Sequence, residues 1–149
     1  MAGEIGPIRL KRVYEPAAPE DGARFLVERL WPRGVRRDAL PLTDWLRDVA
    51  PSPALRQWYG HDPARWPEFR RRYLAELRAP GRAAALRRLE EAARAGPVTL
   101  LFAARDEARS SAAVLREVLL RRLRLRARAG RAPAAPARAR PPRPARPRR

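Results

Sequence analysis

The chain reads as one small α/β domain with a mostly parallel sheet of three or more strands flanked by helices, followed by a disordered basic tail. Three observations predict this. Phe25-Leu26-Val27 and residues 98–103 are short apolar runs of the kind that form strands buried on both faces, which is the habit of parallel sheets. Stretches with helical spacing separate them, delimited by Ser52-Pro53, Asp62-Pro63, Pro80-Gly81 and Gly96-Pro97. Beyond Arg126 the chain is arginine, alanine and proline with one glycine, so the domain is expected over residues 7–125 and the tail over 126–149.

Taken in order, residues 8–14 form a first strand, with Ile8, Leu10 and Tyr14 alternating against Arg9 and Lys11. Residues 15–22 are a turn-rich connector. Residues 24–30 form a second strand, stopped by Pro32 and Gly34. Leu42, Trp45, Leu46 and Val49 fall at i, i+3, i+4 and i+7, which predicts a helix with Thr43 able to cap it. Ser52 caps the next helix, and Pro53 occupies its first position, where a missing N–H costs nothing. Leu55, Trp58 and Tyr59 are carried on it, and Gly60 ends it. Asp62-Pro63 repeats the device for a third helix with Trp66, Phe69, Tyr73, Leu74 and Leu77 on one stripe. Residues 82–95 form a fourth helix around Leu86 and Leu89. After the strand at 98–103, a last helix starts near Ser110 or Ser111 and buries Val114, Leu115, Val118 and Leu119. The connector between the first two strands is shorter than a full helical crossover of about a dozen residues. Those strands are therefore either an antiparallel pair or joined by an abbreviated crossover.

Composition narrows the function. The 149 residues suffice for one domain with a real core. One lysine, Lys11, stands against 33 arginines, and abundant Arg, Ala and Pro point to a GC-rich genome, so Arg over Lys is partly codon bias. The net charge of +18 is unevenly placed: all 16 acidic residues lie at or before Glu117, and 12 arginines follow from Arg121 onward. Without cysteine there is no disulfide, thiol nucleophile or Cys-based zinc site. Neither a signal peptide nor an apolar run of the ~20 residues a membrane helix needs is present. A cytoplasmic protein without membrane attachment is expected.

In an open α/β sheet, ligands sit outside the carboxyl ends of the strands. Those ends deliver Arg12 and Tyr14, then Glu28, Arg29, Trp31 and Arg33, then Arg105, Asp106 and Glu107. Parallel strands would make them converge. Arginine binds phosphate and carboxylate bidentately, so Arg12, Arg29, Trp31, Arg33, Arg105 and Asp106 are the expected ligand-binding set for an anionic small molecule or nucleotide. The competing reading is that Arg29 pairs internally with Asp106 or Glu28 and only closes the sheet end. His61 with Asp62 is the acid/base candidate, Asp106 a further catalytic one. Against His61 stands its place before a helix start that already uses Asp62 as a cap. Trp45 and Trp66 read as core, whereas Trp31, in a loop beside Pro32, is a candidate for stacking on a ligand. One histidine and no cysteine build no ordinary zinc site, so no metal or cofactor is expected. Mg²⁺ held by Asp106 or Glu107 with a ligand phosphate is left open. There is no Gly-rich phosphate loop, nucleophile elbow or dinucleotide fingerprint.

Arg12-Val13-Tyr14, residues 27–34, residues 45–52, Leu55-Arg56-Gln57-Trp58-Tyr59-Gly60-His61-Asp62-Pro63 with Trp66, Phe69 and Tyr73, and residues 100–115 together resemble the YeaO-like group of domain-of-unknown-function family 488. The resemblance runs in order over about residues 7–120. It implies a bacterial cytosolic protein and no established activity. Longer members of the wider family carry a helix between the first two strands, which favours the abbreviated crossover. Many members read Asp-Glu-Glu-His-Asn-His after the third predicted strand, where this chain reads Asp106-Glu107-Ala108-Arg109-Ser110-Ser111. If the lost side chains do chemistry elsewhere, the resemblance implies either that it is lost here or that Arg109 and Ser110 serve binding alone.

The tail offers a second function class. Arg138, Arg140, Arg143, Arg146, Arg148 and Arg149, free of acid and interspersed with proline, make a non-specific nucleic-acid binder whose affinity falls steeply with salt. The plain alternative is a GC-rich reading frame extended past an old stop codon. A third reading is a structural or regulatory domain without a ligand.

Overall fold

The computed structural model describes residues 7–131. Four strands form one sheet: β1 (Ile8–Arg12), β2 (Ala23–Leu26), β3 (Asp44–Trp45) and β4 (Val98–Phe102). Their order is β1-β4-β2-β3, and every pairing is parallel. The helices are α1 (Pro53–Tyr59), α2 (Trp66–Leu77), α3 (Ala83–Ala95) and α4 (Ser111–Arg131). β4 lies between β1 and β2, which explains its apolar run: all five residues are buried. Val98, Leu100 and Phe102 point to the helices, and Leu101 points the other way.

The two faces are covered differently. On one, Ile8, Phe25, Val27 and the even residues of β4 pack against Leu55, Phe69, Tyr73, Leu86, Leu89, Val114, Leu115 and Leu119 of the helices. On the other, Val13, Leu26 and Leu101 are covered by Leu40 and by Trp31, Val35, Leu42 and Trp45 of the β2–β3 connection. The right-handed crossover rule accounts for this. The chain moves one way along the sheet from β1 to β2 and β3, and returns the other way from β3 to β4. Connections of the same hand must then lie on opposite faces, so the short outward passages cover one face and α1–α3 the other.

The β1–β2 crossover is abbreviated as expected, to a single 3₁₀ turn at Pro19–Asp21. Asp21 anchors it. Its carboxylate accepts from Lys11 Nζ at 2.8 Å, from the Ala18 N–H at 3.0 Å and from Arg24 Nη1, while Thr99 Oγ1 donates to its carbonyl at 2.8 Å. Gly22 follows at φ 63°, in van der Waals contact with the Pro97 carbonyl, where any Cβ would collide.

The helix expected around Leu42 to Val49 does not form. Asp44 and Trp45 instead pair with Phe25 and Leu26 as an edge strand, and a 3₁₀ turn covers Arg47–Val49. The Thr43 N–H donates to the Arg24 carbonyl and Leu46 N–H to the Leu26 carbonyl, so the backbone is committed to the sheet. Thr43 Oγ1 accepts from the Arg24 N–H rather than capping a helix. The apolar spacing that mimics a helix serves two sides: Leu42 and Trp45 cover one face of the sheet, Leu46 and Val49 the other.

Ser52 and Gly60 bound α1 as read, whereas Asp62 caps a 3₁₀ turn, Pro63–Arg65, that leads into α2 rather than α2 itself. Ser52 Oγ accepts from the Leu55 N–H, Gly60 is left-handed, and Asp62 accepts from the Ala64 N–H. α4 runs on to Arg131, so residues 126–131 of the expected tail are helical. Glu90 of α3, a fully buried carboxylate that the sequence reading did not single out, pins that extension: Arg122, Arg126 and Arg94 surround it. Arg138, Arg140, Arg143, Arg146, Arg148 and Arg149 lie outside the described residues.

Burial pushes the Asp21 carboxyl up, but the Lys11, Ala18 and Arg24 contacts outweigh it and hold it down at about 2. Its folded value lies below the unfolded one, so its contribution is present above the ordinary carboxylate range and is lost as pH falls through about 2. Asp21→Asn is expected to lower unfolding free energy at pH 7 by about 2 kcal/mol. Urea titrations should show the gap to wild type narrowing as pH drops from 4 toward 2; a constant gap would contradict this.

Candidate functional site

A cavity of about 180 Å³ opens at the carboxyl end of the sheet, lined by Glu28, Pro51, Arg56, Tyr59, His61, Phe69, Ala103, Ala104, Arg109, Ser110 and Ser111. It exists because β2 and β4 part there. The last ladder bond runs from the Val27 N–H to the Leu101 carbonyl. At the next rung the Glu28 side chain takes over, its Oε1 accepting from the Ala103 N–H at 3.0 Å. Arg12 of β1 holds the next two peptides, donating from Nε to the Ala104 carbonyl and from Nη2 to the Ala103 carbonyl. The floor of the cavity is thus fixed by side chains of both neighbouring strands.

α1 and the turn after it supply one wall. Arg56 and Tyr59 stand one turn apart on α1, and His61 follows with φ 57°, a left-handed backbone imposed by the tight step from Gly60 into Asp62-Pro63. Tyr59 Oη donates to the Arg109 carbonyl at 3.0 Å and so ties α1 to the opposite wall. Burial and the nearby Asp106 charge push its hydroxyl pKa up. The opposite wall is the entry to α4. Ser110 is buried; its Oγ donates to the Glu107 carbonyl and accepts from the Ala113 N–H. The amino-terminal end of a 21-residue helix therefore faces the cavity.

Electrostatically the site combines one part-buried carboxylate with a cationic rim. Burial pushes the Glu28 carboxyl pKa up, against the opposing pull of the Ala103 N–H and of Arg56 and His61. Arg109 pairs with Asp106 at 3.0 Å, both side chains half-exposed. Among the described residues, the Arg56 and His61 side chains have no hydrogen-bond or ion-pair partner. A shallower depression of about 390 Å³, lined by Arg29, Leu30, Pro53, Gln57 and Gly60, shares Arg56 and His61 with the cavity and extends it outward.

Of the residues singled out from sequence, His61 lies on this lining and Asp62 caps the adjacent turn, 3.6 Å from Arg65. Arg29 lines the outer depression, but its guanidinium is committed to backbone: Nε donates to the Pro51 carbonyl and Nη2 to the Ala50 carbonyl. It pairs with neither Glu28 nor Asp106. Trp31 sits over the far face of the sheet, edge-on to Trp45 at 5.4 Å, with Nε1 donating to the Val35 carbonyl. Arg33 offers its carbonyl to Tyr14 and keeps its side chain exposed; Arg105 is exposed too. Asp106 caps the turn before α4 and faces Arg109. Arg29, Arg33 and Asp106 thus do not jointly line one cavity. Sequence reasoning passed over Arg56 and Tyr59 because α1 read as an apolar packing helix. The usable signal was their i, i+3 spacing immediately before Gly60-His61.

Fold and site together define a parallel α/β domain with a polar cavity at the strand carboxyl ends. The chain belongs to the DUF488 family: residues 7–138 match the inactive DUF488-N3 subclade. It is 47% identical over 112 residues to the uncharacterized protein Rv3073c of Mycobacterium tuberculosis, covering 75% of this chain and 92% of that one. It is 39% identical over 112 residues to the uncharacterized protein YeaO of Escherichia coli, covering 75% and 96%. No solved structure matches the chain at a significant level. No helix among the described residues is long and apolar enough to cross a membrane.

Because the Glu28 carboxyl is raised by burial, its ionised form opposes folding at neutral pH, and this cost vanishes as pH falls below the ordinary glutamate range. Glu28→Gln keeps the acceptor for the Ala103 N–H. Its unfolding free energy at pH 7 is expected to equal or exceed wild type, with the advantage shrinking toward pH 4; a clear loss at pH 7 would contradict the assignment.

Proposed function

We propose that this protein binds an anionic small molecule, of nucleotide size, at the carboxyl end of its sheet and does not turn it over. The observation that carries the reading is Arg56, a guanidinium on the cavity lining without a partner among the described residues, placed across from the amino-terminal end of α4. Arginine and helix N–H groups are complementary to the same anion. The outer depression sharing Arg56 and His61 supports a ligand larger than free phosphate. Arg109, Ser110 and Ser111 stand where the family resemblance leads one to expect His, Asn and His, and all three line the cavity. That exchange removes proton-transfer groups and keeps hydrogen-bond donors. It agrees with the subclade's description as inactive.

A second reading, non-specific nucleic-acid association through the C-terminal arginines, is favoured by the charge distribution alone: 12 arginines and no acid from Arg121 onward.

Calorimetric titration with inorganic phosphate and with nucleoside monophosphates and diphosphates tests the first reading. Saturable binding is expected, tighter for the nucleotides, and weakened about tenfold or more by Arg56→Ala, in line with the loss of a charge-assisted hydrogen bond. Equal binding by Arg56→Ala, or none by wild type, would overturn it.

A further inference from the structure

We infer that the groove between α2 and α4 is a docking surface for an acidic, amphipathic helical segment of a partner protein. The groove encloses about 280 Å³ and is lined by Leu74, Leu77, Val118 and Leu125, with Arg78, Arg121 and Arg122 around them. Leu125 is 54% exposed, one of three large apolar side chains left open to solvent among the described residues. It stands on the solvent side of a helix whose other side is fully engaged, Leu119 and Leu123 in the core and Arg122 and Arg126 on Glu90.

Charge decides the occupant. Glu117, the last acidic residue of the chain, pairs with Arg70 at one end of the groove. Beyond it α4 brings only positive charge to the rim, and Arg121 and Arg124 are exposed. On α2 the acids are engaged elsewhere: Glu68 with Arg71 and Arg72, Glu76 with Ser52 and Arg82. A second copy of the chain would set this rim against its own charge. Residues 132–149 carry six arginines and no acid, a charge of the same sign as the rim. A nucleic acid satisfies the arginines but leaves Leu125 and the half-buried Leu74 and Val118 uncovered. An acidic helix with leucine-like residues at i, i+3, i+4 and i+7 satisfies both, the recognition mode in which an apolar helical stripe lies in a groove.

The test uses the full chain and fluorescence anisotropy with a labelled synthetic peptide, leucines at i, i+3, i+4 and i+7 and glutamates elsewhere. A scrambled peptide of the same composition and a short DNA duplex serve as comparisons. Leu125→Ser changes no charge and truncates an exposed side chain, so it keeps the fold and any general attraction of the arginines. The patterned peptide is expected to bind saturably and to lose about tenfold in affinity with Leu125→Ser. Arg121→Glu should weaken it independently. The scrambled peptide should bind more weakly and ignore Leu125→Ser. Equal affinity for both peptides with no effect of Leu125→Ser would overturn the inference. So would binding of the duplex alone, since the surface would then be a simple polyanion patch.

Discussion

The architecture of the candidate site depends on how the irregular segment from Asp48 to Ser52 is held. Val49, at the end of the 3₁₀ turn, and Ala50 and Pro51 after it are buried and stand outside any α-helix or strand ladder, so their carbonyls need partners from elsewhere. Side chains supply them. Tyr73 Oη donates to the Val49 carbonyl, Arg82 to those of Asp48 and Ala50, and Arg29 to those of Ala50 and Pro51. Glu76 closes the end, accepting from the Ser52 N–H at 2.8 Å and from Ser52 Oγ at 2.6 Å. Ser52 in turn caps α1, the helix that carries Arg56 and Tyr59 into the cavity. Four side chains, Arg29 after β2, Tyr73 and Glu76 of α2 and Arg82 just before α3, therefore set the position of the cationic wall.

The same backbone accounting explains the cavity itself. A parallel pair of strands that must part cannot leave its next N–H unsatisfied in a largely buried place. Glu28 and Arg12 solve this from opposite sides of β4, and the solution leaves a carboxylate whose ionisation burial opposes. The buried Glu90 cluster works likewise at the far end, where three arginines from α3 and α4 surround one carboxylate. Such clusters are destabilised strongly when one partner is removed, and this one commits α4 to the domain well beyond the apolar residues that first define it.

Much of the fold was legible because single residues carry unambiguous physics. The Phe25-Leu26-Val27 and 98–103 runs suit interior strands, although β2 ends at Leu26 rather than running on to residue 30, and Ser52-Pro53 and Gly60 mark the ends of α1. β3 was not legible. Two residues of edge strand leave no period, and Leu42, Trp45, Leu46 and Val49 imitate a helix because they divide between two faces of the sheet. The continuation of α4 past Leu123 was hidden for a related reason: Arg122 and Arg126 pair with Glu90, and pairings between distant charges do not show in a linear pattern. For the site, strand ends located the cavity, but sequence could not say which arginines would turn inward. Arg12 and Arg29 serve the backbone, and Arg56, on a helix read as packing, reaches the cavity instead.

The clamp on residues 48–52 is the most direct point of attack. Arg82→Met preserves the aliphatic reach of the side chain and removes both hydrogen bonds to the segment. Native-state hydrogen exchange then compares the amides of α1 with those of β4. If the clamp positions the site, α1 amides lose protection by an amount equivalent to about 0.5–1.5 kcal/mol per hydrogen bond lost, while β4 amides change far less. Equal protection of α1 in Arg82→Met and wild type would contradict the account.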